Sequence, residues 1–201
     1  LLVDGGAHYL GGTTDSTRTV PLGEVPGSYR RDYTLVLQAF IRLHAARFPE
    51  GCTGKSLDVL SRQVMWENYL DYKHGTGHGV GCYLNDHEGP TNFANARVPM
   101  EEGMVISIEP GIYRAGMLGV RTENLVTVVR DKRSDEFGQF FRFEPLTLCP
   151  INTQAIETKM LSRSEVAWLN QYHSYVFEQL SPMLEPEERK WLGAATAPLH
   201  I

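Results

Sequence analysis

The sequence has little cysteine, no excess of positive charge and no long apolar run, and each shortage removes a class of function. Its three cysteines, Cys52, Cys82 and Cys149, are widely spaced, odd in number and include no Cys-x-x-Cys. That pattern argues against a disulfide framework or a thiolate zinc site, and for free thiols in a reducing, cytoplasmic compartment. No apolar stretch approaches the ~20 residues a membrane-spanning helix needs. The net charge is −5 and no basic patch with interleaved aromatics occurs, so neither nucleic acid nor a membrane is an expected partner.

What remains is the composition of an ordinary globule: 201 residues, 42% hydrophobic and 21% charged, enough to bury a core without covalent staples. The chain opens "LLVDGG". Leu1-Leu2-Val3 already reads as a strand, yet few pairing partners precede it, so the expectation is a fragment whose upstream part lies outside the sequence.

Short apolar runs between Gly and Thr over residues 1–22 predict two strands joined by a tight turn at Gly11-Gly12. Over 28–48, Tyr33, Val36, Leu37, Phe40, Ile41 and His44 recur at helical spacing. A second helix is predicted over 56–70, with Leu57, Leu60, Val64 and Met65 inward. Residues 71–98, rich in Gly, His and Asn, read as loop around short strands. Strands are predicted for 104–113, running into a Glu-Pro-Gly turn, for 119–130 and for 140–151. From Ser162 the pattern is helical, with Val166, Leu169, Tyr172 and Tyr175 on one face. Strands joined by short turns favour an α+β arrangement with a mixed or antiparallel sheet flanked by helices.

Two phosphate-binding readings fail. "GCTGKS" ends like a phosphate loop, but Pro49 stands where the first glycine is required and the segment follows a helix. It reads better as a helix start. "HGTGHGVG" (74–81) lacks the third small residue of a dinucleotide fingerprint. The chemistry lies elsewhere. Asp4, Asp15, Glu109 and Glu123 each interrupt or end an apolar or β-branched run, where an ionised carboxylate is costly without a compensating charge. Singly each reads as a turn cap or an ion pair. Together with His78 they suit a pair of divalent cations, since carboxylates bridge metals and oxygen donors with one imidazole favour manganese-like ions over structural zinc.

The segments "LVDGGAHYLGGTTDSTRT", "HGTGHGVG", "NDHEGP", "ISIEPGIY" and "VRTENLVTV", taken in this order, resemble the catalytic domain of aminopeptidase P. This belongs to the pita-bread metallopeptidases, with prolidase and methionine aminopeptidase. The resemblance runs from residue 1 to about 180 and fits the eukaryotic cytosolic type. It implies a curved, mostly antiparallel sheet flanked by helices, with the first part of the fold missing, over residues 1–160, and a helical extension over 161–201. It implies two divalent ions, manganese first, with zinc or cobalt as alternatives. Asp4 would chelate one ion, His78 and Glu109 the other, and Asp15 and Glu123 both. A bridging hydroxide would attack the scissile carbonyl, with Glu109 carrying the proton. His74 and His87 match the substrate-side histidines, Arg121 a cation pairing with a ligand carboxylate on the same strand face as Glu123, and Tyr113 a tyrosine near the site. The implied substrate is a peptide with N-terminal Xaa-Pro.

A third functional histidine of the family lies upstream of the first aspartate and is absent here, so the expectation is a fragment that binds metal poorly and turns over little. The competing readings are a prolidase-type dipeptidase and a catalytically dead pita-bread binding module. His8, His44, His173 and His200 match no motif and read as surface or packed side chains. The stripe Trp168, Tyr172, Tyr175 and Phe177 reads as packing onto the domain, with a homodimer contact as the sharper alternative.

Overall fold

The structure is a computed structural model that describes residues 1–83 and 85–200. A hairpin of β1 (Leu2–Tyr9) and β2 (Gly12–Thr19) leads into α1 (Gly27–His44), β3 (Arg47–Pro49) and α2 (Gly54–Trp66). Short strands β4 (His78–Val80) and β5 (His87–Asn92) precede β6 (Val105–Ile108), β7 (Gly111–Arg114), β8 (Leu118–Arg121), β9 (Asn124–Asp135) and β10 (Gly138–Pro145). The chain closes with α3 (Arg163–Leu180) and α4 (Pro186–Ala195). Six strands form one sheet in the order β3-β10-β9-β6-β4-β5, and β1-β2 and β7-β8 form two separate pairs. Every pairing among the described strands is antiparallel.

The local signals explain most of these elements. Thr53 caps α2 by accepting the Ser56 amide, so "GCTGKS" is a helix start. Ser162 and Glu165 form a reciprocal capping box at α3. The first hairpin turns at Leu10-Gly11, one residue earlier than expected, with Tyr9 opposite Gly12.

Four boundaries move. α1 stops at His44 rather than 48, because Arg47–Pro49 pairs with β10, and that pairing overrides helix propensity. α2 stops at Trp66 rather than 70. Tyr69 adopts φ 58 and the Leu70 amide reaches back to the Met65 carbonyl, a left-handed helix stop made without glycine. The expected strand 119–130 is interrupted at Thr122-Glu123. The expected strand 140–151 leaves the sheet after Pro145, and the residues beyond it are held by side chains instead.

One hydrophobic cluster runs through α1, α2, the sheet, α3 and α4, from Tyr33 to Leu192. α1 is buried nearly all round between Asp32 and His44. The aromatic stripe packs inward: Trp168 stacks on Tyr172 at 5.4 Å and meets the ring of His44 edge-on at 4.8 Å. His44 and His173 are buried, while His8 and His200 are exposed. The three cysteines are unpaired.

Arg18 is the polar centre of this packing. It is 9% exposed and faces no carboxylate of the described residues at ion-pair distance. Its guanidinium donates to the carbonyls of Thr17, Glu123, Cys149 and Pro150, to Asn124 Oδ1 at 2.7 Å and to the Tyr172 hydroxyl at 3.1 Å. A single side chain of β2 thereby ties together the β8–β9 junction, the 146–151 segment and α3. Replacing it takes the N–H donor from the Glu123 and Pro150 carbonyls and from Asn124 Oδ1, so Arg18→Leu is expected to cost at least about 3 kcal/mol in chemical denaturation.

The buried histidines set an acid limit. Burial pushes both His44 and His173 down to about 4 from 6.5. The unfolded chain takes up these protons below pH 6.5, while the folded chain resists until about 4. Their contribution is therefore intact above pH 6.5 and is lost as pH falls toward 4, by roughly 3 kcal/mol per histidine. Denaturation midpoints compared at pH 7 and pH 5 are expected to fall less in His44→Phe than in the wild type.

Candidate metal centre

The tight turn of the first hairpin aligns its acids. Asp4 pairs with Thr17 and Asp15 with Gly6. Directly opposed residues and residues two apart share a face, so Asp4, Asp15 and Thr17 point to the same side. Asp15 is buried, and Asp4 is about half exposed.

The two glutamates come from a second hairpin whose ladder is open at its middle. β6 pairs with β9, Ile108 opposite Asn124, and β7 pairs with β8, Gly111 opposite Arg121. The register is the same on both sides of the gap. The gap consists of Glu109-Pro110 facing Thr122-Glu123, so the acids lie opposite one another where the ladder is open. Their amides turn outward to other elements: Glu109 N–H donates to the Thr76 carbonyl at 2.7 Å and Glu123 N–H to the Thr17 carbonyl at 3.1 Å. Proline at 110 has no amide to give to a ladder.

His78 enters from β4. Its Nδ1 lies 3.0 Å from the Gly79 carbonyl, which can only accept, so Nδ1 carries a proton. In the neutral ring Nε2 then presents its lone pair, at 3.4 Å from Asp15 Oδ2 and 3.2 Å from Glu109 Oε1. The glycines around it have steric work. A Cβ on Gly77 would collide with the Ser107 carbonyl, and one on Gly79 with the Glu88 carbonyl. A Cβ on Gly75 would meet the Ala94 Cβ at 3.3 Å, a tight contact that a shift of a few tenths of an ångström relieves.

The remaining expected residues surround this cluster. His74 donates from Nδ1 to the Gly75 carbonyl at 2.8 Å and accepts at Nε2 from the Tyr113 hydroxyl at 2.8 Å. Tyr113 accepts in turn from Arg121 Nη1 at 3.0 Å. Arg121 ends β8 while Glu123 lies in the gap, so they do not share the face of one unbroken strand. Arg121 Nη2 pairs with Asp4 at 2.5 Å, and Nε donates to the Thr17 hydroxyl, which donates to Glu123 Oε2 at 2.6 Å. His87 is mostly exposed and stacks face to face on His78 at 3.6 Å.

Two contributors escape a reading of the sequence. Thr17 bonds both Arg121 and Glu123, and its signal was only its place two residues after Asp15. Asp86 forms with His78 and His87 a second trio of donor atoms within 4.8 Å of one another, as Asp15, His78 and Glu123 do. Its Oδ1 is buried without a partner among the described residues.

Four carboxylates thus face two cationic side chains, and the imbalance is visible in their protonation. Burial and the charges of Glu109 and Asp15 push Glu123 well above the usual carboxylate range. Burial opposes the charge on Asp15, yet hydrogen bonds with His78 and Glu123 hold it below its ordinary value. Burial alone would lower His78, but Asp15 and Glu109 raise it to about 10. Glu123 Oε1 is buried with no partner among the described residues. An acidic cluster with an orphaned oxygen and an imidazole lone pair fits divalent cations, which would replace the proton on His78 and neutralise the excess charge.

Residues 1–130 match the sequence profile of metallopeptidase family M24, and residues 139–199 match the C-terminal region described for the same peptidases. The chain belongs to metallopeptidase family M24. Among M24 relatives, probable Xaa-Pro aminopeptidases P from Tuber melanosporum and Paracoccidioides lutzii are each 45% identical over 98% of this chain. The chain spans 33% of their length. The crystal structure of X-prolyl aminopeptidase from Caenorhabditis elegans, described as a cytosolic enzyme with a di-nuclear active site, is 41% identical. It superposes with a TM-score of 0.95 over 98% of this chain and 33% of its own. An Xaa-Pro dipeptidase from Bacillus anthracis is 34% identical, with a TM-score of 0.61 over 75% of this chain and 39% of its own. The pita-bread fold expected from the sequence is thus the fold of these M24 neighbours.

The glycine geometry gives a paired test. Gly77→Ala is expected to destabilise by at least about 3 kcal/mol, because the backbone of β6 cannot retreat, while Gly75→Ala stays within about 1 kcal/mol. Urea midpoints of the two variants check it.

Proposed function

We propose that this chain supplies the catalytic part of a dinuclear metallo-aminopeptidase that releases the N-terminal residue from peptides with proline second. The observation that carries the proposal is that Asp4 and Asp15 of the first hairpin and His78 of β4 gather at the opening of the second hairpin, where Glu109 faces Glu123. In this reading Asp4, Asp15, His78, Glu109 and Glu123 would hold the two ions. When bound, a pair of divalent cations lowers the pKa of water and polarises the scissile carbonyl; manganese is the proposed metal, on the oxygen-rich donor set.

The side chains supply the rest. Glu109 is fixed by the Ser107 hydroxyl on Oε1 at 3.1 Å, and we assign it the transfer of a proton to the proline nitrogen, which leaves as a secondary amine. His74 and His87 line the substrate side. His87, exposed beside His78, is the candidate to donate to the carbonyl oxygen as it gains charge. Arg121 offsets the charge of Asp4 and orients it through a direct pair, while Thr17 orients Glu123. Tyr113 fixes His74 and Arg121 relative to each other.

Aminopeptidase is favoured over prolidase by the 45% identity to probable Xaa-Pro aminopeptidases P over 98% of this chain, against 34% to the dipeptidase. The complete ligand set disfavours a catalytically dead module. The proposed location is the cytosol. The worm relative is described as cytosolic, the cysteines are unpaired, and no helix of the described residues is long and apolar enough to cross a membrane.

The test is hydrolysis by a protein carrying this chain at its relatives' full length, with manganese added. Cleavage of Xaa-Pro-Yaa tripeptides with little cleavage of Xaa-Pro dipeptides is expected, with two divalent ions per chain by elemental analysis. Asp15→Ala and Glu109→Ala are expected to lower kcat at least about a hundredfold. Unchanged activity in either variant overturns the mechanism, and dipeptide preference would select the prolidase reading.

A further inference from the structure

α2 carries two charged residues, Asp58 and Arg62, to which the reading above gives no part. They lie one turn apart, with side chains only 16% and 13% exposed. Arg62 Nε donates to Asp58 Oδ2 at 2.6 Å. The rest of the guanidinium is turned onto the loop at 71–76. Nη1 donates to Asp71 Oδ1 at 2.8 Å and to the Tyr72 carbonyl at 3.0 Å, and Nη2 to the His74 carbonyl at 2.8 Å. The same group lies over the Tyr72 ring, 4.2 Å from its centroid. Asp58 Oδ1 accepts from the Thr76 hydroxyl.

These acceptors sit in a stretch with no regular secondary structure. No strand ladder orients its carbonyls, so their direction is set by the donors they meet. A rigid, forked cation that binds carbonyls two residues apart fixes the backbone rotation at His74 in a way a flexible point charge cannot. The Tyr72 hydroxyl also meets Ser61 on α2 at 3.2 Å, and two further contacts of the loop lead into the site. The Tyr72 ring lies 5.0 Å from that of His74, and His74 Nε2 meets the Tyr113 hydroxyl. The Thr76 carbonyl receives the amide of Glu109 at 2.7 Å.

We infer that Arg62 and Asp58 are positioning residues, a clamp on α2 that holds the 71–76 loop so that His74 faces the substrate side and Glu109 stays docked beneath Thr76. The inference rests on the role proposed for His74, so its test separates the two. In a full-length protein labelled with ¹⁵N-histidine, Arg62→Gln is expected to shift or broaden the His74 imidazole signals while leaving those of His8 and His200 in place. Unmoved His74 signals overturn the clamp, whether or not the protein is a peptidase. If Arg62→Gln does not fold, Arg62→Lys, which keeps the charge but not the fork, is read in the same way with a smaller expected shift.

Kinetics supply the second arm. Arg62→Gln is expected to lower kcat/KM for Xaa-Pro-Yaa about tenfold, with Arg62→Lys restoring part of it. In a His74→Phe background the same substitution is expected to cost under about twofold, because the group it positions is gone. An equal loss in both backgrounds overturns the clamp, since a general structural effect persists without His74. Absence of peptidase activity in the wild type sinks the proposed function and leaves the imidazole signals to decide the clamp.

Discussion

The structure depends on a cation buried without an anion. Arg18 leaves the hairpin on the side away from the acids and saturates its guanidinium with backbone carbonyls, an amide and a phenol. Guanidinium suits this task because its donors are fixed in a plane and it is weakly hydrated for a cation. The segments it gathers are those with no ladder of their own: the opening between β8 and β9 and the stretch after β10. Without it, the buried Glu123 carbonyl and the Pro150 carbonyl would lose their N–H donor, while Thr17 keeps the Glu123 amide and Cys149 the Tyr172 hydroxyl. The acids of the opening would also lose the frame that holds Glu123 opposite Glu109.

The same economy shapes the site. A continuous antiparallel hairpin would pair its own amides and leave no space for chemistry. Opening it at Glu109-Pro110 and Thr122-Glu123 frees two amides, and these dock on Thr76 and Thr17. Each glutamate is therefore tied through its backbone to a different element, one to the His74 loop and one to the Asp15 strand. Burial, together with repulsion from Glu109 and Asp15, raises Glu123, and His78 and Arg121 are the counter-charges beside Glu109. A fold that concentrates negative charge in this way is strained unless cations enter, and the orphaned oxygen of Glu123 shows where the shortage is greatest.

The local elements were legible where a side chain carried its own signal. Thr53 and Ser162 announced helices, and 3–4 periodicity marked α1 and α3. The stops were not legible. Tyr69 ends α2 in a conformation usually left to glycine, and β3 exists only because β10 lies beside it. The acids were legible as anomalies in apolar strands, and His78 as an imidazole among glycines. Thr17, Asp58 and Arg62 were not, since a threonine on a strand and an acid–base pair on a helix are commonplace until their partners are known.

The sequence by itself determined the chemistry available: four carboxylates and a histidine in strand contexts, free thiols, no basic surface, and an ordered set of motifs shared with metallopeptidase family M24. Those are properties of residue type and spacing, and they survive without coordinates. Tertiary structure decided which acids face which. It set two hairpins edge to edge, opened one of them in register and turned a loop toward it from α2. Such pairings join residues about a hundred positions apart, as Thr17 with Glu123, and local spacing carries no information about contacts that only closure of the chain creates.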